Sequence, residues 1–188
     1  MGVARNAWTV ALAGLWLGFI ATVACGERHG GGAGTGPVCK TYDACTVLTA
    51  SDAAAATGSK FAPGVETDTT AATGAASARC DYDTGKTTDP FVSALVRCCP
   101  CGDADPDATA QSYAGDGTTV TTVTGIGDSA LWIETSADAG APLIDQLVVF
   151  VGTELEVVVT VSVSLGQVFA FDPLAAAKQM ARAALSRL

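Results

Sequence analysis

The sequence predicts an α+β fold: an antiparallel sheet with a C-terminal amphipathic helix and one or two further helices packed on it. Three observations carry this. Leu143 to Val151 and Glu154 to Leu165 are two β-branched runs joined at Gly152-Thr153, a hairpin signal. Asp172-Pro173 opens a closing segment whose apolar residues recur at helical spacing. The strand runs come in hairpin-linked pairs, without the strand–helix alternation and phosphate loop of a doubly wound nucleotide fold.

In chain order, Thr49-Ala50-Ser51-Asp52 has the form of a capping box, and Gly58 is a natural terminator. A short helix is expected over 50–57. The Thr/Ala/Gly/Ser-rich stretch 59–77 reads as an irregular connection with one strand near Thr67 to Thr73. Ala78 to Tyr82 and Phe91 to Cys99 read as paired strands around the polar turn Asp83 to Pro90. Pro106 after Asp105 permits a helix from 106 to about 114. Thr118 to Thr124 and Ser129 to Thr135 are strands separated by Gly125-Ile126-Gly127-Asp128.

In the hairpin's second run, Glu154, Glu156, Thr160, Ser162 and Ser164 share one parity. Leu155, Val157, Val159, Val161, Val163 and Leu165 share the other, so one buried and one exposed face are expected. In the closing helix Leu174, Ala177, Met180 or Ala181, Ala184, Leu185 and Leu188 form the apolar stripe, with Lys178, Arg182 and Arg187 elsewhere.

The chain has 188 residues, 10 Lys plus Arg and 19 Asp plus Glu, a net charge of -9. That balance argues against a nucleic-acid partner, because little is present to neutralise phosphates. The one histidine, His29, stands outside the folded region, which disfavours a Ser-His hydrolase, and no G-x-S-x-G is present. No catalytic constellation, metal site or cofactor is expected.

The N-terminus reads as an address. Arg5 supplies positive charge, and Ala7 to Ala24 is an uncharged run of 18 residues. Cys25 follows, and then a Gly-rich stretch. Thr22-Val23-Ala24-Cys25 matches a lipoprotein box at its last three positions, with Thr22 where Leu is usual. Ordinary signal cleavage and an uncleaved membrane helix are the competing readings. Cysteine parity favours the lipoprotein. Of seven cysteines, lipid on Cys25 leaves six, an even set for an oxidising compartment. The expected organisation is a signal peptide over 1–24, a lipidated Cys25 with a tether over 25–37, and one α+β domain over 38–188.

Cys39, Cys45, Cys80, Cys98, Cys99 and Cys101 are disulfide candidates. Bridging adjacent Cys98 and Cys99 is strained, so Cys98 with Cys101 or Cys99 with Cys39 is geometrically easier. A redox role for the C-x-x-C at Cys98 to Cys101 is the functional alternative. Its acidic surroundings would raise a thiol pKa, the wrong direction for a reactive thiolate. Metal binding by Cys98, Cys99 and Cys101 with Cys39 has poor geometry, since structural zinc sites draw on separated ligand pairs.

Other motifs read as structure. Asp103, Asp105 and Asp107 begin a D-x-D-x-D run, but Ala108 and Ala114 occupy the positions a calcium loop reserves for Gly and Glu. Gly125-Ile126-Gly127-Asp128 lacks the third glycine of a nucleotide fingerprint and reads as a tight turn, with Asp128 bonding nearby backbone. Asp81 with Asp83, and Glu154 with Glu156, are read as solvated strand faces.

Several signatures then stand together: Asp43-Ala44-Cys45-Thr46-Val47-Leu48-Thr49 running into a helix, Arg79-Cys80-Asp81-Tyr82 on a strand, the Val123–Trp132 segment, the apolar hairpin and the terminal helix. This pattern resembles bacterial secreted lipoproteins of unknown function whose domains open on a D-P-C-x-L-L-T turn and carry a later C-x-[WY]. Some of these are similar to the LpqN lipoproteins, with a PsbP-like α+β sandwich. Ala44 replaces the family's Pro, and Cys98-Cys99-Pro100-Cys101 lies outside its pattern. The resemblance implies a Cys45–Cys80 pair, leaving Cys39 to one of Cys98, Cys99 and Cys101, and the other two to each other.

It also implies an extracytoplasmic binding or accessory domain without catalysis. The expected partners are the membrane, through the lipid on Cys25, and a small ligand or an envelope protein. The alternative is an envelope thiol–disulfide protein acting through Cys98–Cys101.

Overall fold

A computed structural model of the chain describes residues 42–70, 76–98, 104–115, 117–136, 142–164 and 166–188. Its strands are β1 (Val65–Thr70), β2 (Ala76–Tyr82), β3 (Phe91–Cys98), β4 (Thr118–Val123), β5 (Ser129–Thr135), β6 (Leu143–Val151) and β7 (Leu155–Val163). They form one antiparallel sheet in the order β1-β2-β3-β7-β6-β5-β4. The helices are α1 (Ala44–Val47), α2 (Ala50–Thr57), α3 (Pro106–Tyr113) and α4 (Pro173–Leu185). The α+β fold and its C-terminal helix are thus present. The strand expected near 67–73 starts two residues earlier, and 71–73 lie outside the described residues. Ala7 to Ala24 lie outside them too; among the described residues no helix is long and apolar enough to cross a membrane.

The helix starts follow their caps. The Thr49 hydroxyl accepts from the Asp52 N–H, and the Asp52 carboxylate accepts from the Thr49 N–H at 2.8 Å, a reciprocal capping box. Asp105 caps α3 by accepting from the N–H groups of Asp107 and Ala108, and Asp172 caps α4 by accepting from Ala175. Pro106 and Pro173 follow their caps at a position where the missing N–H costs nothing.

The principal core lies between one sheet face and α1, α2 and α4. Register aligns Cys80, Ala94, Val159, Leu147 and Trp132 in a single row across five strands. Over the sheet, α4 buries Ala176, Ala177, Met180, Ala181 and Ala184. Four of the five are alanines, so the helix sits close to the valines below it, and packing supplies most of its stability. The opposite face holds a smaller cluster of Ala104, Leu131, Ile133, Val148, Phe150 and Val158, with Ala110 of α3 packed against it.

Two faces covered in the middle of the sheet correct one expectation. Glu154, in the turn before β7, is exposed as the alternation predicts, but Glu156 within β7 is only 5% exposed and Val158 is buried beside it. Val157, Val159 and Val161 of β7 pack in the principal core with α4, and Val158 packs in the second cluster on the opposite face, with Ala110 of α3 against it, so both faces of β7 are covered there.

Candidate functional site

Cys45 and Cys80, the pair that the resemblance implies, are joined in a disulfide with Cα atoms 5.1 Å apart. It ties α1 to β2 across 35 residues of chain. The surroundings are built around it. Asp43 caps α1 by accepting from the Thr46 N–H at 3.0 Å. The Ala44 N–H donates to Glu66 Oε1 of β1 at 3.1 Å. Two residues beyond Cys80, the fully buried Tyr82 donates its hydroxyl hydrogen bond to the Leu48 carbonyl, and burial pushes the phenol pKa up. A Cβ on Gly64 would overlap the Cys80 sulfur and the Tyr82 ring, so only glycine lets this backbone pass over the bridge.

Cys98 closes β3 on the principal-core side of the sheet. It is 9% exposed and is also disulfide-bonded. Cys25, Cys39, Cys99, Cys101 and Asp103 lie outside the described residues.

Asp81, Asp83 and Asp105, three of the carboxylates singled out by the sequence, are engaged locally. Asp81 pairs with Arg79 at 2.6 Å. Asp83 accepts from the Gly85 N–H at 2.7 Å, and Asp105 is spent on its cap. The Gly125–Asp128 segment is a turn, as read. Asp128 Oδ2 accepts from the Gly152 N–H at 2.6 Å, and the Asp128 N–H donates to the Phe150 carbonyl at 2.9 Å. The β4–β5 turn is thereby fastened to the β6–β7 turn.

Two groups were not legible in the sequence. Glu156 forms an ion pair with Arg97, its register partner on β3, and both lie near Tyr113 of α3. Asp145 lies on β6, 6% exposed, in the row of Val92 and Val161, with Glu134 as its β5 partner. Burial pushes its carboxyl up to about 6, a Thr135 backbone hydrogen bond opposes that, and the Glu134 charge adds to it. An acidic residue inside a β-branched run signals either a solvated edge or a buried oddity, and strand order decides which.

A shallow groove of about 230 Å³ lies beside the β2–β3 loop, lined in part by Asp83, Lys86, Asp89 and Ser164. It is smaller than the few hundred cubic ångströms usual for small-molecule sites and is away from the sheet–helix seam. Comparison of the chain with protein-family models, curated proteins and solved structures gives no match.

Proposed function

We propose that the protein is a cell-envelope lipoprotein, lipidated on Cys25, whose disulfide-stapled α+β domain serves as a partner-binding or accessory module without catalysis of its own. The observation that carries this reading is the Cys45–Cys80 disulfide, buried against Tyr82 and Gly64. Such bridges persist in oxidising, extracytoplasmic compartments. Downstream of an uncharged run that ends at a cysteine, it supports export and tethering. The family resemblance to LpqN-like lipoproteins supports the same reading.

The seam between α4 and the sheet is packed with alanine and valine side chains together with Trp132, Leu147 and Met180, and the described groove beside the β2–β3 loop is small and open. The acidic balance suits a basic partner surface. The thiol–disulfide alternative has less support, since Cys98 is bonded and nearly buried, and reactive cysteines sit in accessible electropositive surroundings.

Fractionation of host cells tests the proposal. The wild-type chain should sediment with the envelope and be accessible to external protease once the envelope is permeabilised. Cys25→Ser should lose the lipid and the envelope association. Cytoplasmic recovery of both proteins contradicts the proposal.

A further inference from the structure

The two edges of the sheet differ in kind. At one edge, β1 reads Val-Glu-Thr-Asp-Thr-Thr. Antiparallel self-pairing about Thr67 would set Glu66 of one copy at the position of Asp68 of the other, and like charges directly opposite are destabilising. At the other edge, β4 reads Thr-Thr-Val-Thr-Thr-Val. It carries no charge or proline, two of the devices that usually blunt an exposed edge. Among the described residues its one strand neighbour is β5. Thr119, Thr121 and Thr122 are exposed.

The hydrogen bonding shows which backbone groups face outward. The Ser136 N–H donates to the Gly117 carbonyl at 2.6 Å, continuing the β4–β5 register by one pair. In an antiparallel ladder bonded and non-bonded pairs alternate. Residues 117, 119, 121 and 123 therefore direct their backbone groups to β5, and Thr118, Val120 and Thr122 direct theirs away from the sheet. The Thr118 N–H is already taken by the Gly115 carbonyl. Among the described residues, the outward carbonyls of Thr118, Val120 and Thr122 and the N–H groups of Val120 and Thr122 have no hydrogen-bond partner and can receive an added strand.

We propose that β4 is a self-pairing edge through which two copies of this chain join their sheets. A two-fold axis normal to the sheet at Val120 keeps each face continuous and sets Val120 against Val120, Thr118 against Thr122 and Thr119 against Thr121. The Val120 N–H groups donate to the partner's Val120 carbonyl in both directions, and each Thr122 N–H donates to the opposite Thr118 carbonyl. Every facing pair joins like residues, and threonine and β-branched pairs are among the favourable cross-strand combinations. Although each chain carries a net charge of -9, the pairing strand brings no charged side chain to the seam.

Sedimentation of the full chain in density-matched detergent tests this. The wild type should show a concentration-dependent monomer–dimer equilibrium. Thr122→Pro removes an outward N–H and leaves the β4–β5 bonds intact, a position where an edge tolerates proline. It should weaken the dimer about tenfold or more, through loss of the paired Thr122–Thr118 bonds. The combination Thr119→Lys with Thr121→Lys sets lysine against lysine across the axis and should weaken it likewise, which keeps the test decisive if the proline variant misfolds. A wild type monomeric at millimolar concentration overturns the proposal. So does a dimer indifferent to the folded variants, or a monomer that captures a strand of another protein on β4.

Discussion

Arg187 and Asp52, 135 residues apart in sequence, form a two-pronged ion pair. Nη1 donates to Oδ2 at 2.8 Å and Nη2 donates to Oδ1 at 3.0 Å. The same Nη1 donates to the Val47 carbonyl at 2.8 Å, at the end of α1. The segment after α4 is thereby fastened to the corner between α1, which carries Cys45, and α2. The hydrogen bonds from Arg187 hold the Asp52 carboxyl down at about 2.

The two partners should respond unequally to removal. Arg187 is exposed, so its loss removes a solvent-screened pair, and Arg187→Ala should cost about 0.5–1 kcal/mol. Asp52 also closes the capping box of α2, so Asp52→Ala should cost about 1–2.5 kcal/mol. A double-mutant cycle by urea denaturation should show coupling between them. Equal costs with no coupling would contradict the geometry.

Asp145 sets a pH dependence of the opposite sign to Asp52. Its folded pKa is raised, so between about pH 4 and pH 6 the folded state keeps a proton that the unfolded chain releases, and stability falls as pH rises through that window. The lowered pKa of Asp52 gives stability that is present above about pH 4 and lost as pH falls toward about 2. Tm should therefore peak in the mildly acidic range. Asp145→Asn should flatten the limb between pH 4 and 6 and raise stability at pH 7.5 by about 1–2 kcal/mol. An unchanged limb would place the titrating group elsewhere.

Gly125 and Gly127 both have positive φ, at 79° and 59°, but only one is enclosed. A Cβ on Gly127 would collide with Val149 Cγ1 and come within 2.7 Å of the Phe150 carbonyl, whereas nothing lies within 4 Å of one on Gly125. Gly125→Ala should cost about 1 kcal/mol, the strain of a left-handed alanine. Gly127→Ala should cost about 2–4 kcal/mol, because core and backbone must shift as well. Thermal denaturation of the two variants side by side reads the difference.

The Arg97–Glu156 pair should be costly to halve and cheap to replace. Glu156→Ala removes the buried half of the pair while the Arg97 side chain, 37% exposed, keeps access to water, and it should destabilise by about 1–2 kcal/mol. Arg97→Met combined with Glu156→Leu should restore most of that loss, since the site borders the apolar cluster of Phe150 and Val158. A combination as unstable as the single variant would show that the ion pair specifies the fold.

Local signals carried much of this fold into the sequence. The Asp172-Pro173 start, the Thr49 capping box, the Gly152-Thr153 hairpin and the Gly127 turn are each encoded within a few residues, and each is present. What local reading could not supply is strand order. Alternation along β7 reads as one wet face, because the pattern cannot show that Val158 joins a second apolar cluster with residues of β5 and β6 on that side of the sheet. Alternation alone therefore places Glu156 in solvent, and Asp145 carries no local signal within its β-branched run. The Arg187–Asp52 and Tyr82–Leu48 contacts join segments far apart in sequence, and no spacing rule announces them. At the bridge the chemistry of Cys45 and Cys80 was legible, but Gly64 and Glu66, which complete its surroundings, sat in a stretch read as irregular connection.

The most direct test of a tethered, disulfide-stapled envelope domain is the intact mass of the protein purified from host membranes, alkylated before and after reduction. The account predicts a chain that begins at Cys25 and carries acyl groups. It predicts no alkylation before reduction and six labels after it, one for each cysteine beyond Cys25. A mass that retains residues 1–24 would make Ala7 to Ala24 a membrane helix. Two native thiols mapping to Cys98–Cys101 would instead restore the redox reading.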